Sequence, residues 1–178
     1  MIILGIDPGL RQTGWGVIEL DYDSSGVVLR DFDYKAPHSF GGIQKVNPTR
    51  KYLESGTIKT NPKENLPNRL ETLRGETEAV VNDIKPDLVV VETTFFSRHT
   101  PTVLLLAQAR GAICSALWTV NEYKELSPSQ IKAQVGFSGR TDKELLWECT
   151  QKFITGIPDK KMTPDEKDAL AIALAGVL

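Results

Sequence analysis

The period of the apolar positions changes repeatedly along this chain, and each change marks an element. Residues 1–6 are apolar or glycine without a break, and they stop at Asp7 before the turn pair Pro8-Gly9. A short continuous apolar run bounded by turn residues predicts a buried central strand. Residues 13–21 predict a second strand and residues 26–34 another, joined tightly as in an antiparallel meander. Residues 35–50, with Pro37, Gly41, Gly42 and Pro48, have little periodicity and read as a surface loop or insertion. Residues 53–60 are either the third strand of the meander or its continuation.

Beyond this the spacing becomes helical. Leu66, Leu70, Leu73, Thr77, Val80, Val81 and Ile84 predict an amphipathic helix over 67–84, stopped by Pro86. Residues 87–92 (Asp-Leu-Val-Val-Val-Glu) repeat the pattern of the opening: a buried β-branched run tipped by an acid. The intervening helix predicts parallel, right-handed pairing with the first strand. Thr100-Pro101 opens a helix whose residues 103–117 are apolar almost all round, which predicts burial on more than one face, inside the monomer or at a subunit interface. A strand follows within 118–126, then a helix from Ser127-Pro128 that carries Lys132, then a loop at 137–140. Thr141 and Glu144 have capping-box spacing for a helix ended by Gly156, and Thr163 and Glu166 repeat that spacing for a last helix through Leu178. The order is βββαβαβαα with a terminal helix, which predicts an α/β mixed sheet.

Composition narrows the class. The 178 residues fit a single domain, and 40% hydrophobic with 25% charged residues is ordinary for a globular protein. Cys114 and Cys149 both fall in apolar helical patterns and read as small core residues in a reducing compartment. No stretch is long enough to cross a bilayer, and Met1 runs directly into the first strand, so a cytoplasmic location is expected. A net charge of −2 excludes a surface coated in base, but it leaves room for a local basic face.

Four acids carry the candidate chemistry. Asp7 and Glu92 tip two core strands, where open α/β sheets place their ligand sites. Asp165 and Asp168 are three apart, so they share one face of the last helix. The plain alternatives are a turn-starting aspartate and helix-dipole acids with Glu166 and Lys167 as surface charge. Taken together, the four suit hard divalent cations, which prefer oxygen ligands. Two such ions roughly 3.5–4 Å apart activate a water and stabilise the leaving oxygen in phosphodiester hydrolysis. His38 and His99 are isolated and offer no zinc site, and no phosphate-binding glycine loop precedes a Lys-Ser/Thr pair.

With Ile-Leu-Gly-Ile-Asp7-Pro-Gly, Thr13-Gly-Trp-Gly-Val-Ile, Val-Val-Glu92-Thr-Thr-Phe-Phe, Ala107-Gln-Ala-Arg-Gly, Gln130-Ile-Lys132, Lys143 and Asp165-x-x-Asp168-Ala-Leu-Ala in order, the chain closely resembles the RuvC family of Holliday-junction resolvases. The resemblance implies an RNase H-like fold with a five-stranded mixed sheet flanked by helices, one domain over 1–178 with an insertion at about 21–50. It implies a homodimer in which each subunit cuts one strand of a four-way DNA junction, with two Mg2+ per site and Mn2+ as a substitute. Asp7, Glu92, Asp165 and Asp168 fall on the family's metal-binding acids, and Lys132 and Lys143 on its lysines near the scissile phosphate. Phe95 falls on the aromatic that stacks at the junction centre, and Arg98 and Arg140 look like DNA-backbone contacts. Helix 103–117 would contribute to the dimer, and a branch-migration helicase complex is the family's partner. The departures are the extra residues between the early strands, which include Gln44-Lys45 and Arg50-Lys51, together with Leu10 and Ala107. Other readings are an RNase H-like nuclease acting on RNA or simpler branched DNA, and a junction-binding protein without catalysis.

Overall fold

The computed structural model describes residues 1–21, 49–93 and 100–178. The strand expected over 26–34, and His38, Gln44 and Lys45, lie outside the described residues. The elements are β1 (Ile2–Asp7), β2 (Gln12–Asp21), β3 (Thr49–Lys59), α1 (Leu66–Ile84), β4 (Leu88–Glu92), α2 (Thr100–Ser115), β5 (Glu122–Leu126), α3 (Pro128–Gly136), α4 (Lys143–Phe153), β6 (Ile154–Thr155) and α5 (Pro164–Ala175). They form one mixed sheet in the order β5-β4-β1-β2-β3-β6. The β1–β2 and β2–β3 pairs are antiparallel, whereas β1–β4, β4–β5 and β3–β6 are parallel.

Side chains alternate across a strand, so the central strands β1 and β4 feed two cores. Ile3, Leu88 and Val90 face one core, shared with Ile131, Leu146, Leu170 and Leu174 of α3, α4 and α5. Leu4, Ile6, Val89 and Val91 face the other, shared with Leu73 and Val81 of α1 and Ala109 and Ile113 of α2. The same parity puts Asp7 (after Ile3 and Gly5) and Glu92 (after Leu88 and Val90) on the α5 face.

Helix α5 lies unusually close to that face because the strands beneath it lack side chains where it crosses. A Cβ at Gly5 would press on the Ala169 carbonyl and stand 2.9 Å from the Ala173 methyl, and one at Gly14 would stand 2.9 Å from the Asp165 Cβ. Real Cβ atoms essentially never approach a heavy atom that closely.

Several boundaries differ from the sequence expectation, each for a local reason. The sheet has six strands, not five. Helix α4 ends at Phe153, because residues 154–155 extend into β6 beside Arg50 and Lys51. Gly156, at φ +75°, then turns the chain out of the sheet. The N-cap of α4 is Asp142, whose carboxylate accepts from the Leu145 N–H at 2.9 Å. Thr141 is otherwise engaged, its hydroxyl donating to the carbonyls of Ser138 (2.7 Å) and Gly136 (3.0 Å). Strand β3 starts at Thr49, inside the segment read as loop. Strand β5 starts at Glu122, after a turn at 116–119. The last helix stops at Ala175, where the Gly176 N–H still bonds back to the Ile172 carbonyl. The capping boxes at Ser127/Gln130 and Thr163/Glu166 are both formed.

Helix α2 is not buried all round. Ala109 and Ile113 sit in the core, but Leu104 and Leu105 are 60% and 41% exposed in the single subunit, and Trp118 just beyond is 78% exposed. The interior-helix alternative therefore fails.

Gly14→Ala should destabilise the fold by about 1–3 kcal/mol, the usual cost of overpacking, measured by denaturant unfolding. An unchanged midpoint would mean that α5 does not need this close approach.

Candidate active site

The sheet register brings the two strand acids together. Ile6 of β1 pairs with Val91 of β4, so Asp7 and Glu92 follow side by side on neighbouring strands, which run about 4.8 Å apart. Asp7 also pairs with Gly14 of β2, the residue over which Asp165 sits. The first turn of α5 thus lies directly above the strand acids, and Asp168, one turn on, completes the cluster.

Electrostatics confirm the convergence. Burial, and then the charges of Glu92, Asp168 and Asp165, push the Asp7 carboxyl up to about 8, with Lys143 pulling the other way. Glu92 is also raised, by burial and then Asp168, and a hydrogen bond from Asp7 together with Lys143 and Lys132 opposes that rise. Two neighbouring carboxylates in a low-dielectric setting cannot both ionise cheaply, so one keeps its proton.

Two cationic or polar groups already answer this negative charge. The Lys143 ammonium, at the start of α4, donates to Asp168 Oδ2 at 2.5 Å. That hydrogen bond, and then the charges of Asp168, Asp7 and Asp165, hold Lys143 above its ordinary pKa. The Gln12 amide donates to Asp165 Oδ2. With these side chains so engaged, no three acids among the described residues form a closed metal cage. The donor set is nonetheless all carboxylate oxygen with a cation already resting on it, which fits a hard divalent ion and not zinc.

Of the residues singled out from sequence, Asp7, Glu92, Asp165, Asp168, Lys132 and Lys143 come together. Arg140 lies exposed in the loop between α3 and α4. Phe95, Arg98 and His99 lie outside the described residues. Sequence reading missed Gln12, and it treated Glu166 as surface charge. Glu166 is in fact 8% exposed: it accepts from the Thr163 N–H at 2.8 Å and from the Ser55 hydroxyl at 3.0 Å, tying the start of α5 to β3. The capping-box spacing signalled the first bond. Nothing local signalled the second, which spans 111 positions.

A mixed sheet with carboxylates at the tips of adjacent parallel strands and two more on a helix laid across them defines an RNase H-like, metal-assisted nuclease. Comparison with known proteins narrows this. Residues 36–176 match the family described as "Crossover junction endodeoxyribonuclease RuvC". The Bordetella petrii protein of that name is 36% identical over 178 residues, covering 98% of this chain and 81% of the relative. The Thermus thermophilus RuvC structure aligns with a TM-score of 0.75 at 25% identity, over 98% of this chain and 92% of that one. The structure of T. thermophilus RuvC in complex with Holliday junction substrate shares the fold, with a TM-score of 0.76 at 24% identity and the same coverage. The chain belongs to the RuvC family.

The raised Asp7 has a thermodynamic consequence. A carboxyl whose pKa rises on folding, here from 3.8 unfolded to about 8, stabilises the fold at low pH and loses that contribution as pH climbs between those values. In EDTA, the melting temperature should therefore fall between pH 5 and pH 8. Asp7→Asn should flatten this dependence and raise the pH 8 melting temperature by several degrees, since about 1 kcal/mol moves Tm by about 2–4 °C at this size. Calorimetry checks this, and a lower Tm for Asp7→Asn at pH 8 would contradict the clustering of the acids.

Proposed function

We infer that this protein is a structure-selective endonuclease that resolves four-way DNA junctions in recombination and repair, by divalent-metal-dependent hydrolysis of phosphodiester bonds. The observation that carries the reading is the convergence of Asp7, Glu92, Asp165 and Asp168 beside Lys132 and Lys143 in a chain of the RuvC family. RNA or simpler branched DNA as substrate is not favoured by those relatives.

Asp7, Glu92, Asp165 and Asp168 would hold the metal, which we take to be two Mg2+ ions. Such ions supply a nucleophilic water at neutral pH and charge stabilisation at the leaving oxygen. The protein's own groups do the rest. Lys143 leaves Asp168 for the scissile phosphate and neutralises its oxygens. Lys132, whose charge reaches Glu92, offers a second positive charge where negative charge builds up. Gln12 keeps Asp165 oriented, and the Ser55–Glu166 bond keeps α5 registered on the sheet. Arg140 contacts the backbone of an arm, positioning the DNA without reading sequence. Phe95 and Arg98 take the junction-centre and backbone roles that the family resemblance assigns. The cytoplasm, with the nucleoid, is the proposed location.

Resolution needs two cuts, and the exposed Leu104, Leu105 and Trp118 support a homodimer formed through α2. Leu104→Glu should shift the protein to a monomer in analytical ultracentrifugation. A dimer that survives the change would move the interface elsewhere.

The direct test is cleavage of a labelled four-way junction with magnesium. Wild type should leave paired, symmetric, ligatable nicks and prefer the junction over flaps and hybrids. Asp7→Asn should abolish cutting, and Lys132→Ala should slow it by about 100–1000-fold, as loss of one transition-state charge contact does. Tight binding without cutting by wild type would refute the nuclease reading.

A further inference from the structure

A second charged feature lies outside the acid cluster. Loop 156–162 between β6 and α5, together with the facing side of α4, encloses an open cleft of about 450 Å³ lined by Trp147, Gln151, Lys160, Lys161 and Lys167, among others. Three lysines and a single carboxylate, Asp159, share that lining. Glu166, which feels the Lys160 charge, is a second carboxylate beside the cleft, so three cations still outnumber two anions. The cleft is therefore locally basic in a chain whose net charge is negative.

Its position relative to the active site follows from helix geometry. Lys143, Trp147 and Gln151 are spaced four apart and lie on one stripe of α4. Lys143 touches Asp168, and Trp147 lies under the Lys167 ammonium, 5.1 Å from the ring centroid. Each step of four residues advances about 6 Å, so the cleft begins about 6 Å from Lys143 and continues to about 12 Å. That spacing resembles the distance between successive phosphates on a nucleic acid strand. The indole fixes Lys167 through a cation–π contact, so less side-chain freedom remains to be lost on binding.

We propose that the Trp147–Lys160–Lys161–Lys167 cleft binds the phosphate backbone of the DNA strand flanking the cut, extending the active site along α4 away from the scissile bond. The proposal rests on the nuclease reading above. In it, Lys160 and Lys161 hold backbone phosphates and Lys167 receives the phosphate nearest the cut. The contact is sequence-independent and sets where the arm lies.

The test measures binding of the full-length protein to a synthetic four-way junction in EDTA, where no strand is cut, as a function of salt. The Lys160→Gln/Lys161→Gln double variant should bind more weakly, and the slope of log affinity against log salt should become shallower by about 2, at about 0.9 per phosphate lost. Lys85→Gln is the control: it lies before β4, at the opposite end of that strand from Glu92, and should keep the wild-type slope. A junction with neutral methylphosphonates flanking the cut should weaken wild type but weaken the double variant no further. An unchanged slope in the double variant would overturn the proposal and leave the lysines as solvated charge. Equal losses in the double variant and in Lys85→Gln would overturn it as well, by showing only diffuse attraction. If wild type shows no preference for the junction over duplex, the function itself is wrong, and that failure appears before any variant is made.

Discussion

The close approach of α5 to strands β1 and β2 is the constraint on which everything else depends. Helix and sheet usually meet through interlocking side chains, which keep the two layers about 10 Å apart. Here Gly5, Gly14 and Gly16 clear the strands, and Ala169 and Ala173 clear the helix, so the backbones come nearly into contact. The acid cluster needs two acids from strands and two from a helix within reach of one another. Short carboxylate side chains can meet only if the backbones that bear them are brought together first.

That proximity has an electrostatic cost, and the structure distributes it. Asp7, the most hemmed in of the four, keeps its proton well into the neutral range, while Lys143 covers Asp168 and Gln12 covers Asp165. Pre-organised charge of one sign is what makes a site avid for a cation of the other. Under the proposed function, folding stability and metal affinity are therefore set against each other at the same residues, and the hydrophobic layers on both faces of the sheet supply what the site gives up.

Much of this was legible in the sequence, and each exception has a physical reason. Asp7 and Glu92 stood out because each ends a buried β-branched run, and Asp165 and Asp168 because three-residue spacing puts them on one face of a helix. Those signals are local. Gln12 reaches Asp165 across 153 positions and Ser55 reaches Glu166 across 111, and no window of periodicity registers such pairs. The two-residue β6 is too short to show a period, and α4 was assigned Thr141 as its cap because two competent capping residues stand side by side. The exposure of Leu104 and Leu105 could not be decided from periodicity alone, since an apolar helix looks the same whether its neighbour belongs to its own chain or to another; only the family resemblance favoured a partner subunit.

The alternation that sends Ile3, Gly5 and Asp7 to one face of β1, and Leu88, Val90 and Glu92 to the same face of β4, makes the site a matter of counting. Deleting or inserting one residue within either strand would turn its acid through half a rotation, toward α1 and α2, while leaving every functional side chain in the sequence. Deleting two would keep the acid on its face but withdraw it along the strand. Chain length inside these strands is therefore as much a part of the chemistry as the acids themselves.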